Sequence, residues 1–484
     1  MRRTKIIATL GPATDNPEVL EKMIKAGMDL ARLNFSHDPV ELLLKRAAMV
    51  KEIARKLDCW VGILVDLQGP KIRIESFRLG EITLAEGNIF TLDTTCPPAD
   101  GDQDRVGVTY RQLPEDVHPG DILLLDDGRI VLHAIKVESQ KIVCRVEIGG
   151  ELSNHKGINR MGGGISAPTL TEKDHQDIKT AAQMQADYMA VSFPRSGQDI
   201  DQARELFMAA GGKGRIIAKI ERAEAMDNLP EIITASDAVM IARGDLGVEI
   251  GDAALPPAQK KIIQLARSMN RVAITATQMM ESMIENQIPT RAEVFDVANA
   301  VLDGTDSVML SAETAIGRHP HKVIAAMSRI CLEAETQHKA MTSSHRIHSQ
   351  FSKVDEAISM ATMYVANHLG VKAIAALTES GSTPLWMSRI SSGIPIYALT
   401  KHAAIRRRVT LYRGVYPVNF KTETLNHALV NQEAVEELLS RGIVSKGDLV
   451  IITKGDLAGV QGGTNALKIV KVGEMEEPQT NMNE

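Results

Sequence analysis

The chain has 484 residues, of which 44% are hydrophobic and 24% are charged, and its formal net charge is -6. This composition is typical of a soluble globular protein with two or three domains, and it excludes a largely disordered chain. The mildly acidic balance provides no basic field for nucleic acid, and no apolar run is long enough to span a membrane.

The cysteines and the N-terminus indicate a cellular compartment. The sequence has four widely spaced cysteines, Cys59, Cys96, Cys144 and Cys331, and no CxxC pair. A disulfide or zinc framework is therefore not expected. The apolar run near the N-terminus is too short for a signal sequence and leads directly into a strand pattern. These features predict a protein of the reducing cytoplasm.

Eight short apolar runs of strand length alternate with helical patterns over the first two-thirds of the chain. They are IIATL from Ile6, LARLNF from Leu30, VGILVDL from Val61, YMAVSF from Tyr188, RIIAKIE from Arg215, AVMIARGD from Ala238, RVAITAT from Arg271 and SVMLSAE from Ser307. Eight such alternations predict an α/β fold, a (β/α)8 TIM barrel built from residues 1–70 and 167–344. An open doubly wound sheet is the structural alternative.

Residues 71–166, the inserted region, interrupt this alternation after the third strand. Its stretches EITLAEGNIFTLD, GDILLLDDGRIVLHAIKV and QKIVCRVEIGGEL alternate apolar and polar residues and are broken by Gly, Asp and Pro. The pattern predicts a small antiparallel, β-barrel-like domain in a βα loop. A domain above the active end of the barrel suits a lid that excludes water, although an inert insertion would give the same pattern.

Residues 345–475, the C-terminal region, begin with the helical pattern VDEAISMATMYVANHLG and continue with short apolar runs separated by helical segments. They predict a second α/β domain, which is followed by a polar tail at 476–484. The stretch TESGSTP places small hydroxyl residues and a glycine before a helical pattern, an arrangement that suits a phosphate group. A plain βα turn with an N-cap is the alternative.

Polar residues gather at the carboxyl ends of the predicted barrel strands, where such barrels place their chemistry. Lys219 and Glu221 are two residues apart and share one face of a strand, and Asp245 follows the next strand. Carboxylate oxygens without a nearby His or Cys favour a hard cation such as Mg²⁺. A salt-bridged polar layer with Lys219 is the alternative.

The second strand ends with Arg32, Asn34 and Ser36, which share one face and suit a phosphate group. The sequence contains neither a Walker motif nor GxGxxG after a strand, so a nucleotide would need another geometry. The stretch NHKGINRMGGG brings Lys156 onto a flexible backbone that suits phosphates, and a plain hinge fits it equally well. The predicted mouth collects Arg32, Asp66, Arg73, Lys219, Glu221, Asp245 and Thr277.

The order and spacing of nine segments resemble the pyruvate kinase family, in its bacterial type. The segments are TKIIATLGPA, ARLNFSH, DLQGPKIR, HKGIN, AKIER, ARGDLGVEI, TATQMMESM, PTRAEVFDVANAV and SAETAIG. The resemblance covers nearly the whole chain. It implies a barrel with an inserted lid and a C-terminal regulatory domain. It also implies reversible phosphoryl transfer between phosphoenolpyruvate and ADP, which gives pyruvate and ATP in the final step of glycolysis.

The resemblance implies roles for individual residues. Lys219 and Arg32 would neutralise the phosphoryl group, and Thr277 would lie near the enolate carbon. The backbone of Gly244 and Asp245 would hold the substrate carboxylate. By similarity, the ligands of Mg²⁺ or Mn²⁺ are Glu221 and Asp245, and the contacts to ADP or ATP are Arg73, His37 and Lys156. A second Mg²⁺ would accompany ADP.

The monovalent cation site departs from the family pattern. Potassium-dependent members hold K⁺ with positions that match Asn34, Ser36, Asp66 and Leu67, and they carry a glutamate where this chain has Lys71. An ammonium group at this site would make K⁺ redundant and would repel it. We therefore expect weak or absent K⁺ dependence.

The C-terminal region contains a stretch that resembles the family's loop for a sugar-phosphate effector, and a nucleotide monophosphate is another candidate. The expected effector contacts are Thr378, Glu379, Ser380, Gly381, Ser382 and Thr383. The family also implies a homotetramer. Two other functions fit parts of the sequence: a Mg-dependent barrel lyase or aldolase that stabilises an enolate of pyruvate, and a non-catalytic effector-binding relative.

Overall fold

The structure, a computed structural model, describes residues 1–36, 38–341, 350–422, 424, 426–456 and 462–474. The first elements are β1 Lys5–Thr9, α1 Pro17–Lys25, β2 Leu30–Asn34, α2 Val40–Lys56 and β3 Gly62–Asp66. The three strands are parallel and almost completely buried. Helix α1 begins after Asn16, whose side chain accepts a hydrogen bond from the amide of Glu18, and Pro17 occupies its first turn.

The inserted region follows β3 and is built mainly from antiparallel strands. Its elements are β4 Glu81–Leu84, β5 Ile89–Asp93, β6 Arg105–Val106, α3 Leu113–Asp116, β7 Ile122–Leu125, β8 Ile130–Glu138, β9 Lys141–Ile148, β10 Gly150–Ser153 and β11 Ile158–Arg160. Six strands form one sheet in the order β11-β7-β8-β9-β5-β6, and β10 pairs with β4. Exposed and buried residues alternate along β4, and partly exposed and buried residues alternate along the first half of β8, as the sequence pattern predicted.

The chain then returns to the barrel. The elements are α4 Glu172–Gln183, β12 Tyr188–Val191, α5 Gly197–Ala209, β13 Arg215–Ile220, α6 Ala223–Asp227, α7 Leu229–Ala235, β14 Ala238–Ala242, α8 Arg243–Ile250, α9 Leu255–Ser268, β15 Val272–Ala276, α10 Arg291–Asp303, β16 Ser307–Leu310, α11 Ala312–Ala315, α12 Pro320–Ala334 and α13 His338–Met341. The barrel closes in the order β1-β16-β15-β14-β13-β12-β3-β2.

Each of the eight predicted runs supplies one strand of this closed barrel, so the (β/α)8 prediction is confirmed and the open sheet is excluded. One run extends beyond its strand. AVMIARGD contains β14 only as far as Ala242, and α8 begins at Arg243. The strand therefore ends where the fully buried apolar residues end, and Asp245 lies in the first turn of a helix.

The C-terminal region forms a five-stranded sheet with helices, which confirms the predicted second α/β unit. Its elements are α14 Val354–Leu369, β17 Ala373–Leu377, α15 Ser382–Ser388, β18 Ile396–Thr400, α16 Ala403–Val409, β19 Val415–Asn419, α17 His427–Ser440, β20 Leu449–Gly455 and β21 Thr464–Lys471. The strand order is β19-β18-β17-β20-β21, and β21 is antiparallel. The expected boundary at 345 and the tail at 476–484 lie outside the described residues, and the other boundaries stay predictions.

Buried apolar side chains form several clusters. One lies between the barrel strands and the surrounding helices. A second fills the barrel interior and continues into the C-terminal region, since it joins Ile7 and Met309 to Val409 and Tyr412. The inserted region has its own cluster, which runs from Ile72 to Ala167. The barrel and the C-terminal region thus share a core, and the inserted region is packed separately.

A buried ion pair also joins the barrel to the C-terminal region. The guanidinium of Arg389 donates from Nη2 to Asp306 Oδ1 and from Nη1 to Asp306 Oδ2, the latter at 2.9 Å. Asp306 Oδ2 also accepts a hydrogen bond from the amide of Ala273 in β15. The side chains of the pair are 0% and 2% exposed. The pair is therefore shielded from solvent at the N-terminal end of β16.

The structure also describes the helix lengths and the cysteines. No helix of the described residues is long and apolar enough to cross a membrane. All four cysteines are free thiols. Burial raises the pKa of Cys144 and Cys331 to about 12, so neither forms a thiolate at neutral pH.

Candidate active site

Two adjoining cavities lie at the carboxyl ends of the barrel strands. The inner cavity, of about 90 Å³, is lined by Arg32, Asn34, Ser36, Lys71, Lys219, Glu221, Asp245 and Thr277, among others. The outer cavity, of about 360 Å³, lies between the inserted region and the barrel and is lined by Arg73 and Lys156. The structure therefore brings most of the predicted site residues together. A larger cavity of about 780 Å³ lies elsewhere, between the first residues of the chain and the C-terminal region, beside Arg3 and Tyr416.

Lys219, on β13, is the cation at the centre of the inner cavity. Its Nζ donates a hydrogen bond to Ser192 Oγ at 2.7 Å. The same atom lies 2.8 Å from Glu221 Oε1 and 3.3 Å from Asp66 Oδ1. Burial lowers the pKa of Lys219, but the two carboxylates outweigh it and raise that pKa above the ordinary value. Lys219 is therefore charged at neutral pH and is held by three partners.

Arg32, on β2, is held by Asp66 on the neighbouring strand. Arg32 Nε donates to Asp66 Oδ2 at 2.7 Å, and Nη1 donates to Thr9 Oγ1 at 2.8 Å. Burial raises the pKa of Asp66, but Lys219 and Arg32 outweigh it and lower that pKa overall. Asp66 is 1% exposed, and its Oδ1 accepts no hydrogen bond among the described residues. Asn34 faces Asp66 across the β2–β3 pair. Two cations and one buried carboxylate therefore form a fixed group.

Glu221 and Asp245 are the two carboxylates predicted to bind metal. Glu221 is 1% exposed, and its Oε2 accepts a hydrogen bond from the amide of Phe193 at 2.8 Å. Burial raises the pKa of Glu221 to about 7. The charge of Lys219 opposes this shift, and the charge of Asp245 adds to it. Carboxylates that repel each other in this way suit a divalent cation. Within the described residues, no group of three His, Cys, Asp or Glu side chains is arranged to hold a metal.

Thr277 lies at the end of β15 and contacts the residues that follow β14. It follows β15 and has a left-handed backbone, with a φ of 64°. Its Oγ1 donates to the carbonyl of Ala276 at 2.7 Å and accepts a hydrogen bond from the amide of Gly244 at 2.9 Å. Gly244 lies in the first turn of α8, next to Asp245. The hydroxyl of Thr277 and the amide end of α8 therefore face the same cavity.

The inserted region contributes cations to the outer cavity. Arg73 Nη1 donates to the carbonyl of His155 at 2.7 Å, and Lys156 Nζ lies 2.8 Å from Asp126 Oδ1. Lys71 lines both cavities. Desolvation lowers the pKa of Lys71, and the charge of Lys219 acts in the same direction. His37, the other expected nucleotide contact, lies outside the described residues.

Glu249, in α8, anchors the end of the inserted region. Its carbonyl accepts a hydrogen bond from the amide of Gly162 at 3.0 Å. Its carboxylate accepts hydrogen bonds from the amide of Ala223 at 2.8 Å and from Asn159 Nδ2 at 3.5 Å. Burial raises the pKa of Glu249 to about 7, and the charge of Glu224 adds to this shift. The junction between the inserted region and the barrel therefore contains a carboxyl group that titrates near neutral pH.

The expected effector segment forms the turn between β17 and α15. Gly381 has a left-handed backbone with a φ of 84°, and its amide donates to Thr378 Oγ1 at 2.9 Å. Most of its side chains have partners in the C-terminal region, namely Ser380 with Ser382 at 2.9 Å, Thr383 with Thr464 at 2.7 Å and Glu379 with His402 at 2.5 Å. Both the effector loop and the plain turn are consistent with this arrangement.

Two residues that hold side chains or backbone of the site in place had no role in the sequence-based predictions. Ser192 accepts the hydrogen bond from Lys219 and donates to the carbonyl of Leu67 at 2.7 Å. Ser192 is the polar residue within the fourth predicted run, YMAVSF, and it directly follows β12, so its position near a strand end was a usable signal. Arg243 donates to backbone carbonyls of the turn after β15, and no local sequence signal indicates this contact.

Comparisons with known proteins find matches over nearly the whole chain. The family model described as "Pyruvate kinase, barrel domain" matches residues 1–324, and the one described as "Pyruvate kinase, alpha/beta domain" matches residues 356–470. The chain is 54% identical to pyruvate kinase II of Salmonella typhimurium over 98% of this chain and 99% of that protein. It is 51% identical to the pyruvate kinase of Haemophilus influenzae, over 95% of this chain and 97% of the relative. For the pyruvate kinase of Corynebacterium glutamicum the identity is 40%, over 98% of each chain.

Proposed function

This chain belongs to the pyruvate kinase family, and from that premise we infer how its residues carry out the reaction. The enzyme is a phosphotransferase that transfers the phosphoryl group of phosphoenolpyruvate to ADP and gives pyruvate and ATP, the final step of glycolysis. The lyase or aldolase and the non-catalytic relative are not favoured. The observation that carries the residue assignments is the position of Lys219, which is fixed between Glu221 and Asp66 beside Arg32.

Glu221 and Asp245 fit a hard divalent cation, Mg²⁺ or Mn²⁺. Both side chains present carboxylate oxygens to the inner cavity. The repulsion between them is part of the reason that the pKa of Glu221 is raised. When bound, the metal supplies positive charge that neutralises substrate and phosphoryl oxygens. Glu221 and Asp245 would hold it, and substrate oxygens and water would complete its coordination, as is common for Mg²⁺ in kinase sites.

Lys219 and Arg32 would act on the transferring phosphoryl group. Their charges would neutralise its equatorial oxygens as it passes between the enolate oxygen and ADP. Lys219 is already fixed by Ser192 and two carboxylates, so little reorganisation is needed when charge develops. Arg32 is fixed by Asp66 and Thr9 in the same way. Pre-set cations of this kind lower the barrier to phosphoryl transfer.

The substrate carboxylate would bind to the backbone of Gly244 and Asp245 at the start of α8. A helix N-terminus favours an anion because its first amide groups have no partner within the helix. The amide of Gly244 donates to Thr277 Oγ1. A carboxylate that took this hydrogen bond would leave Thr277 Oγ1 bonded only to the carbonyl of Ala276 and next to the enolate carbon. Thr277 would then act where the enolate is protonated.

ADP would occupy the outer cavity with a second Mg²⁺. Arg73 and Lys156 line this cavity, and by resemblance they contact the nucleotide phosphates together with His37. Their location on the inserted region means that nucleotide binding would draw that region toward the barrel. Closure of this kind excludes water from the phosphoryl group and limits its hydrolysis.

Family members generally require K⁺, but we propose that this enzyme does not. Lys71 shares the inner cavity with Asn34 and Ser36, two of the positions that match the K⁺ ligands. The carbonyl of Leu67 already accepts a hydrogen bond from Ser192. The ammonium of Lys71 would supply the positive charge that K⁺ supplies in other members.

Regulation, assembly and location are also proposals. The segment 378–383 would bind a sugar phosphate or a nucleotide monophosphate. Such an effector regulates the enzyme only if it binds two conformations with different affinities. We propose a cytoplasmic homotetramer, in keeping with the family and with the preference of oligomers for closed symmetry.

An initial-rate assay tests the function and its regulation together. Pyruvate formed from phosphoenolpyruvate is coupled to lactate dehydrogenase, with Mg²⁺, with and without ADP, and across a panel of sugar phosphates and AMP. The proposal predicts strict dependence on ADP and equal rates in K⁺ and tetraalkylammonium salts. Consumption of phosphoenolpyruvate without ADP would instead support a lyase.

A further inference from the structure

The turn after β15 has an uncommon backbone conformation. Thr277 and Gln278 have φ values of 64° and 52°, so two consecutive non-glycine residues are left-handed. A β-branched residue such as threonine is strained in this region and adopts it only where its surroundings enforce it. The turn contains the hydroxyl group that we place near the enolate carbon. The contacts that enforce the turn therefore bear on the reaction.

The side chain of Arg243 binds this turn. Its Nε lies 3.2 Å from the carbonyl oxygens of both Ala276 and Thr277. Its Nη2 donates to the carbonyl of Thr277 at 2.7 Å and to that of Gln278 at 3.3 Å, and it lies 2.9 Å from Met279 Sδ. The side chain is only 8% exposed, so these hydrogen bonds form away from bulk water. One guanidinium thus holds the carbonyl groups of three consecutive residues.

The opposite edge of the same guanidinium is fixed by α10. Arg243 Nη1 donates to Asp296 Oδ1 at 2.7 Å. A planar fork of this kind reaches a carboxylate on one side and carbonyls on the other, which the single ammonium of a lysine cannot reproduce. Arg243 also precedes Gly244, whose amide donates to the Thr277 hydroxyl. Two adjacent residues therefore hold both the backbone and the side chain of Thr277.

We propose that Arg243 is a positioning residue, which fixes the left-handed turn at Thr277 and so directs the Thr277 hydroxyl at the enolate. The inference rests on the role proposed above for Thr277. Arg243 is not among the described residues that line either cavity, so it acts through Thr277 and does not contact substrate.

A double-mutant cycle in the full-length enzyme tests this proposal. Arg243→Lys keeps the charge and loses the fork, so kcat should fall by roughly 10- to 100-fold, the range that misplacement by about 1 Å produces. KM for ADP should not change, because none of the proposed nucleotide contacts lies in the turn that Arg243 binds. In a Thr277→Ala background there is no hydroxyl to position. Adding Arg243→Lys to that background should therefore lower kcat by less than about twofold.

Two further measurements separate positioning from general stability. Exchange of pyruvate methyl protons with deuterated water, followed by NMR, reports on the enolate alone and should slow by the same factor as kcat. Glycine adopts the left-handed region without strain, so Thr277→Gly should restore the thermal unfolding midpoint that Arg243→Lys lowers. Arg78→Lys is the matched control, since Arg78 is an exposed arginine paired with Asp100 on the inserted region.

The outcomes are distinguishable. Equal losses from Arg243→Lys in the wild-type and Thr277→Ala backgrounds, or a loss confined to KM for ADP, would overturn the positioning role. Unchanged deuterium exchange in Thr277→Ala alone would overturn the role of Thr277 itself. If Arg243→Lys does not fold, Asp296→Asn is the substitute variant, because it removes the carboxylate that holds the outer edge of the Arg243 guanidinium. Asp296→Asn should slow deuterium exchange of pyruvate in the wild-type background and should not slow it further in the Thr277→Ala background. Any other result with Asp296→Asn would count against the proposal.

Discussion

Replacement of Lys219 by methionine is the sharpest test of the catalytic assignments. The ammonium lies 2.8 Å from Glu221 Oε1 and 3.3 Å from Asp66 Oδ1. With an effective dielectric constant of about 20, Coulomb's law gives about 6 and about 5 kcal/mol for these two pairs. A phosphoryl oxygen at a similar distance would gain a comparable energy in the transition state. Loss of about 6 kcal/mol lowers the rate by roughly 10⁴-fold, within the range of other charge-stabilising groups in phosphoryl transfer.

The assay is the lactate dehydrogenase-coupled rate of ADP-dependent pyruvate formation, measured on protein whose circular dichroism matches the wild type. Lys56→Met is the matched control, because Lys56 is an exposed lysine whose side chain is 62% accessible. The control should keep full activity. A folded Lys219→Met enzyme that kept more than about one tenth of wild-type kcat would refute the assignment of Lys219 to the phosphoryl group.

Charged groups elsewhere allow three more tests. Lys71→Glu should create a K⁺ requirement, seen as an activity at least about tenfold lower in tetraalkylammonium than in potassium salts, and equal rates would contradict the proposed role of Lys71. The folded pKa of Glu249 is about 7, above the ordinary 4.5, so its contribution to stability is present below pH 4.5 and is lost as the pH rises through 7. Glu249→Gln should therefore raise the thermal unfolding midpoint relative to wild type at about pH 8 and not near pH 4.5, and a gain confined to low pH would contradict this sign. Arg389→Met leaves Asp306 buried without its cation and should cost about 3–5 kcal/mol, measured by urea denaturation, where an unchanged midpoint would contradict the contribution of the pair.

The barrel was predictable because each of its strands is buried on both faces. Such a strand is a continuous apolar run, and AVMIA in β14 is buried at every position. The following residues of AVMIARGD show the limit of this signal. Arg243 is 7% exposed despite its charge, because its partners come from distant parts of the chain. Apolar patterns therefore locate a strand better than they locate its end.

The site was predictable where side-chain alternation along one strand decides the geometry. Lys219 and Glu221 are two residues apart, and their 2.8 Å contact follows from that spacing. Ser192 and Arg243 were not identified because their roles depend on contacts between different strands. The left-handed turn at Thr277 and Gln278 contains no glycine, so its conformation leaves no mark in the sequence.

The separate apolar cluster of the inserted region has a consequence for folding cooperativity. That cluster is not continuous with the core shared by the barrel and the C-terminal region. The inserted region should therefore lose amide protection against hydrogen exchange at a different free energy of opening from the rest of the protein. A nucleotide bound between them favours only the state in which both are folded. Saturating ADP should therefore slow exchange and proteolysis throughout the inserted region, including strands that never touch the ligand.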